Sequence, residues 1–200
     1  MDSSLPSWLR EGLSFPRTEP DSSAIEQAIV SNESSLARMS ILLSDKADRY
    51  LEDMAQHAHQ LTAKHFGKTI SLYAPLYLSN HCSGGCAYCG FASDREQPRH
   101  RLETSDILRE CEALRGSGFD DILLLTGEET EQADFNYLLE ATRACSSHFH
   151  AISVESFGMT LEQYSQLASA GCTGVTLYQE TYDPHLYDEM HRWGPKKDFS

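Results

Sequence analysis

The chain is 200 residues long, with apolar residues at 40%, aromatics at 10% and a formal net charge of −14. That length supports one domain with a real core, and the composition excludes a disordered or collagen-like chain. Acidic residues spread along the sequence argue against nucleic acid as a partner and point to small molecules. No apolar run reaches the roughly 20 residues of a membrane span. The segment Met1 to Arg10 has neither the basic start nor the apolar stretch of a signal peptide. The expectation is a cytoplasmic protein with no membrane association. In a reducing compartment its six cysteines read as metal or redox chemistry and as buried thiols, not as disulfides.

In chain order, residues 1 to about 22 are rich in Ser, Pro and Asp and read as a loose leader. Apolar residues then recur at helical spacing through Ile25, Ala28 and Ile29, and again through Leu36, Met39, Leu42 and Leu43. Asp45 is placed to cap a long helix through Tyr50, Leu51, Met54, Ala58 and Leu61 that ends at Gly67. Its histidines, His57, His59 and His65, read as structural or exposed. Thr69 to Ser79 predicts a buried strand. Thr104 to Gly116 predicts a helix capped by Thr104 or Ser105, Asp121 to Thr126 a strand, Phe135 to Ser146 a helix, and His150 to Glu155 a strand. Thr160 to Ala170 predicts a helix stopped by Gly171, Gly174 to Gln179 a strand, and Pro184 to Met190 a helix. Successive strand–helix units imply a parallel sheet with right-handed crossovers. The fold class is therefore α/β. The expected organisation is a leader and helical segment over 1–67, followed over 68–200 by the first half of a (β/α)8 barrel, with the chain stopping midway.

The segment with the most chemistry is Asn80-His-Cys82-Ser-Gly-Gly-Cys86-Ala-Tyr-Cys89-Gly-Phe91. It follows a strand, where barrel enzymes place their reacting groups. Three thiolates so close together can hold three irons of a [4Fe-4S] cubane and leave the fourth iron open to a small molecule. A ferredoxin site would ask for a fourth cysteine. A zinc site is the competing reading, with His81 or His100 as fourth ligand, although no second Cys/His pair follows at zinc spacing. Cys111, Cys145 and Cys172 lie in or beside apolar positions and read as buried, inert thiols.

The pattern Cys82-x3-Cys86-x2-Cys89 resembles that of the radical S-adenosylmethionine (radical SAM) superfamily. The stretches Met54–Gly67, Ala74–Asn80, Cys86–Phe91, Leu125–Glu128, Tyr178–Tyr182 and Gly194–Phe199 resemble, within it, the tyrosine lyases called 2-iminoacetate synthases. The tyrosine-cleaving maturase of [FeFe]-hydrogenase shares most of these stretches. The resemblance implies a radical SAM (β/α) barrel with a [4Fe-4S] cluster on Cys82, Cys86 and Cys89 and S-adenosylmethionine as cofactor. It further implies cleavage of L-tyrosine between Cα and Cβ to 2-iminoacetate and p-cresol, for the thiazole of thiamine. Reduced flavodoxin or ferredoxin would donate electrons, and the thiazole synthase would be a partner.

The resemblance also suggests cofactor contacts. Tyr88, just before the third cysteine, stands where the superfamily keeps an aromatic near the adenine; a packed ring with a satisfied hydroxyl is the alternative. Thr126, Gly127 and Glu128 match the segment that meets the methionyl amino group, where a glycine permits close backbone approach and a carboxylate suits an ammonium. Glu155, Gln179 and Glu180 end strands at the expected catalytic face and are candidates for ribose or substrate contacts, or for capping. Where the family has a β-branched residue and a proline after the third strand, this chain has Ser156 and Gly158. Arg95, Arg99 and Arg101 read as a solvated basic loop able to meet a carboxylate.

Overall fold

The computed structural model describes residues 19–199, so the expected leader falls almost wholly outside the described residues. The chain divides after Ile70 into two compact units. In the first, Asp21 Oδ1 accepts from the Ala24 N–H at 2.8 Å and starts α1 (Ser22–Val30). Ile25 and Ile29 on α1 pack with Ala47 in a small core, with Ile41, Leu42, Tyr50 and Met54 around them. The guanidinium of Arg38, on α2 (Leu36–Leu42), reaches the Ala28 and Ile29 carbonyls that end α1. Leu36, Met39 and Leu43, three of the apolar residues at helical spacing, are exposed. Asp45 does not cap a long helix. Residues Asp45–Tyr50 form a tight 3-10 turn, and α3 runs only over Leu51–Phe66, closed at Gly67 with φ at 65°. No residue of α3 is buried.

The second unit is a four-stranded parallel sheet in the order β1-β2-β3-β4: β1 (Tyr73–Tyr77), β2 (Asp121–Leu125), β3 (Ala151–Glu155) and β4 (Gly174–Thr176). The crossovers are α4 (Thr104–Gly116), α5 (Phe135–Cys145) and α6 (Leu161–Ser169), and α7 (Pro184–Met190) follows β4. Alternation settles which face is covered. Leu76, Ile122, Leu124, Ile152 and Val154 are buried against Ile107, Cys111, Leu138, Cys145 and Leu167 of the helices. The opposite face carries Tyr73, Tyr77, Leu123, Leu125, Ser153 and Glu155, which are exposed or half-buried. Leu124, Leu138, Val154 and Leu167 have no accessible surface.

Three expected elements shorten or shift. The strand expected over Thr69 to Ser79 reduces to Tyr73–Tyr77, with every second residue exposed. Pro75, which cannot donate to a ladder, is tolerated because β1 is the edge of this sheet. Helix α4 is capped by Glu103, whose N–H donates to Asp106 Oδ2 at 3.3 Å, and not by Thr104 or Ser105, which are its first helical residues. Strand β4 stops at Thr176, and Leu177 to Tyr182 is irregular. Cys111 and Cys145 are enclosed in the core with their sulfurs 3.5 Å apart. Cys172 is only partly buried, its thiol donating to the Gly174 carbonyl.

The register aligns Tyr77, Leu125, Glu155 and Thr176 across the sheet, so the segments after all four strands leave from one end. Leu138→Ala, in the centre of the core, is expected to cost about 2–5 kcal/mol. Leu161→Ala, at a position 84% exposed, is expected to stay within about 0.5 kcal/mol. Urea unfolding of the two variants checks the difference.

Candidate functional site

The three clustered thiols lie on the loop from Asn80 to Arg101, at the carboxyl end of the sheet. This loop has neither helix nor strand to satisfy its backbone, so turn hydrogen bonds and side chains share that task. Its neck is closed by Asn80, whose side chain accepts from the His100 N–H at 2.7 Å and donates to the Pro98 carbonyl at 2.9 Å. Tyr137 of α5 donates to the Leu78 and Leu102 carbonyls on the two sides of the neck. Burial raises the pKa of its hydroxyl to about 12, so it remains a donor. The Arg99 guanidinium binds the carbonyls of Asn80, Phe91, Ala92 and Arg95, and Arg95 reaches those of Ala87 and Cys89. Of the basic loop expected to be solvated, Arg99 is a half-buried internal staple, whereas Arg95 bonds the loop backbone while remaining exposed. Arg101 pairs with Glu103 and donates to the Gln132 carbonyl.

The thiols have backbone donors. Cys82 Sγ accepts from the N–H groups of Gly84 and Glu128, each at 3.3 Å, and Cys89 Sγ accepts from the Phe91 N–H at 3.3 Å. Such N–H···S contacts stabilise thiolates and tune the potential of a cluster they ligate. The contact from Glu128 brings the segment after β2 onto the loop, with the Ser83 N–H answering to the Glu128 carbonyl at 3.4 Å. Gly127 makes this approach possible: a Cβ there would stand 2.6 Å from the Cys82 Cβ and 2.7 Å from the His81 carbonyl oxygen. Ser83 Oγ, between the first two thiols, is buried without a hydrogen-bond partner. Thiols with backbone donors, a cradle a methyl group would fill and one orphaned hydroxyl fit an iron–sulfur cubane. Among the described residues no three His, Cys, Asp or Glu side chains, the three clustered thiols included, are drawn together tightly enough to form a metal-ion site. His100 is exposed.

The loop is also held from the far end of the chain. The N–H groups of Gly85 and Ala87 donate to the Trp193 and Met190 carbonyls, and Cys86 pairs with His191 in an isolated antiparallel bridge. Arg192 donates to the Gly85 carbonyl and pairs with Asp94, and the Trp193 indole N–H donates to Ser93 Oγ. The Trp193 ring covers Gly85. Gly194, with φ at 91°, approaches so closely that a Cβ on it would lie 2.8 Å from Gly84 Cα. The sequence reading assigned no role to Met190–Trp193. The run Trp193-Gly-Pro, a bulky ring before two backbone-breaking residues, was the signal available.

The other candidates gather unevenly. Tyr88, with its ring half-exposed, places its hydroxyl 2.7 Å from His191 Nε2. Burial, and then the neighbouring Cys86 and Glu180, raise its pKa. Burial pushes the Cys86 thiol up, against the hydrogen bond from Tyr88 and the positive charge of Lys196. Glu128 is likewise raised by burial, opposed by Lys196. Glu180 takes a left-handed backbone, φ 70°, and binds Lys196 Nζ at 2.7 Å. Burial alone would raise its carboxyl, but Lys196, helped by a hydrogen bond from Tyr88 and by the nearby His191, more than offsets this and holds it below its ordinary value. Lys196, not singled out in the sequence, thus sits among Glu128, Glu180 and Cys86. The Thr126 hydroxyl is bonded to Ser156 Oγ. Glu155 ends β3, and its carbonyl accepts from the Thr126 N–H. Gln179 reaches the Phe199 carbonyl.

Comparison with known proteins adds three findings. Residues 76–199 match the model of the radical SAM superfamily. The 2-iminoacetate synthases of Salmonella typhimurium and Escherichia coli are 39% and 38% identical over 175 residues, 88% of this chain and 46% of each relative. The chain therefore spans about half the length of these curated relatives. The crystal structure of HydG, a maturase of the [FeFe]-hydrogenase, superposes with a TM-score of 0.86 at 27% identity, over 96% of this chain and 44% of that one.

Gly127→Ala is expected to push the Cys82 segment off the end of β2 while leaving the sheet intact. Anaerobic reconstitution should then give clearly less iron and sulfide per chain than the parent, with an unchanged far-ultraviolet circular dichroism spectrum.

Proposed function

The chain belongs to the radical SAM superfamily, and from that premise we propose that it acts as a tyrosine lyase. It would cleave L-tyrosine between Cα and Cβ to 2-iminoacetate and p-cresol, for the thiazole of thiamine. The observation that carries the reading is the set of three thiols on a stapled loop, with Glu128 drawn against Cys82 at the sheet's carboxyl end. The likeness to two 2-iminoacetate synthases over most of the chain supports the choice of substrate. The second reading, a tyrosine-cleaving hydrogenase maturase, rests on the superposition with HydG.

In this proposal Cys82, Cys86 and Cys89 would hold the [4Fe-4S] cluster, which would leave S-adenosylmethionine a place to bind beside Glu128. When bound, the reduced cluster and S-adenosylmethionine supply the 5′-deoxyadenosyl radical that removes a hydrogen atom from the substrate. The protein's residues supply position and exclusion of water. Glu128, a carboxyl lifted by burial, regains favourable energy when an ammonium group replaces its lost hydration. Tyr88 flanks the adenine. The Trp193 ring, laid over Gly85, keeps solvent from that side of the loop. Reduced flavodoxin or ferredoxin would deliver the electron, and the thiazole synthase would accept the labile product.

The test is the full chain, reconstituted under argon and given tyrosine, S-adenosylmethionine and a reductant. The proposal predicts p-cresol without cyanide or carbon monoxide; cyanide among the products would transfer the assignment to the maturase. Replacing Cys82, Cys86 or Cys89 by Ala should abolish 5′-deoxyadenosine formation. Cys172→Ala should keep the cluster, and Glu128→Ala should keep the iron yet weaken S-adenosylmethionine binding. A cluster lost in Cys172→Ala but kept in Cys89→Ala would overturn the ligand assignment.

A further inference from the structure

His191 has no accessible surface, and both of its ring nitrogens are engaged. Nδ1 lies 2.9 Å from the Tyr187 carbonyl oxygen, and Nε2 lies 2.7 Å from the Tyr88 hydroxyl. A carbonyl only accepts, so Nδ1 carries the hydrogen. With the hydrogen on Nδ1 alone, Nε2 is an acceptor for the Tyr88 hydroxyl, which also has Cys86 and Glu180 within hydrogen-bonding range. The imidazole is clamped: Tyr187 packs on it with ring centroids 3.9 Å apart, and its own backbone pairs with Cys86. Tyr88 is in the opposite situation. Its ring is 51% exposed, and it meets His191 edge-on with centroids 5.6 Å apart and an interplanar angle of 87°. Packing alone leaves such a side chain free to change rotamer, and a hydroxyl bond to an immobile acceptor removes that freedom.

We propose that His191 is a positioning residue, which fixes the ring of Tyr88 through the bond from the Tyr88 hydroxyl to Nε2 and so prepares it for the purine of S-adenosylmethionine. The proposal rests on the reading of Tyr88 as the adenine neighbour. It gives the segment after α7 a part in cofactor binding beyond covering the loop. The Nδ1 bond to Tyr187 serves the end of α7; the Nε2 bond serves the cofactor.

Variants separate the two bonds. Asparagine at 191 keeps a donor near the Nδ1 position but falls short of Tyr88, whereas glutamine carries an acceptor out to the Nε2 position. S-adenosylmethionine affinity is measured on the reconstituted full chain by equilibrium binding and by its perturbation of the reduced cluster's electron paramagnetic resonance, with iron content read separately. His191→Asn is expected to weaken binding about tenfold, roughly the loss of one hydrogen bond, with iron unchanged. His191→Gln is expected to recover most of the loss. In a Tyr88→Phe background His191→Asn should add nothing further.

Tyr88→Ala tests the underlying reading: undiminished affinity would remove the adenine role of Tyr88 itself. If Tyr88→Ala binds weakly while His191→Asn binds like the parent, or adds fully to Tyr88→Phe, the positioning role alone is overturned. A measurement on the iron-free protein is independent of the cofactor. With 15N-labelled imidazole, the His191 signal should report hydrogen on Nδ1 and a bare Nε2 whose shift moves in Tyr88→Phe. Hydrogen on Nε2, or a shift indifferent to Tyr88→Phe, overturns the proposal even if the 191 variants fold poorly.

Discussion

The constraint on which the rest depends is the backbone of the loop between Asn80 and Arg101, which no helix or strand ladder pairs. A loop this long without helix or strand must find partners for its buried N–H and C=O groups, and a loop presenting three thiols cannot find them in a moving ensemble. The guanidinium group meets this requirement because its planar fork offers several donors in fixed directions and stays charged at every relevant pH. Arg99 gathers carbonyls from both ends of the loop, Arg95 takes those beside the second and third cysteines, and Arg192 takes that of Gly85 from across the chain. This explains why an acidic protein concentrates basic residues around its sulfurs. They serve the backbone first.

Close approach is the second requirement, and glycine supplies it at two places. Gly127 lets the end of β2 rest on Cys82, which brings the Glu128 amide to the sulfur beside the local donor from Gly84. Gly194 lets the segment after α7 rest on Gly84. Both contacts join parts of the chain far apart in sequence, so the environment of Cys82 exists only when the sheet is formed. The thiol loop is a product of the fold and not a local motif that folds alone.

Charge is arranged around one lysine. Lys196 holds Glu180 ionised and lies near enough to Glu128 and Cys86 to work against the desolvation of both. The left-handed backbone at Glu180 costs about 1–3 kcal/mol for a residue with a side chain, and its ion pair with Lys196 holds the carboxylate in that position. Strain retained beside a set of thiols and carboxyls is what a binding site shows when geometry matters more than local stability.

The sequence by itself determined the alternation of strands and helices, the parallel sheet and the spacing of Cys82, Cys86 and Cys89. These follow from periodicity and from residue types whose chemistry is carried locally. It also placed Gly127 and Glu128 after a strand. It overextended β1 and β4, because a run of apolar residues does not reveal where ladder partners stop. It placed caps one or two residues late on α4 and five early on α3, because several capping residues in a row compete and tertiary packing chooses among them. The tertiary structure alone decided that Arg99 turns inward, that Thr126 bonds to Ser156, and that His191, Trp193 and Lys196 belong to the site. Each depends on which distant backbone group lies opposite, and spacing along a chain carries no record of that until the sheet has brought the ends of its strands together.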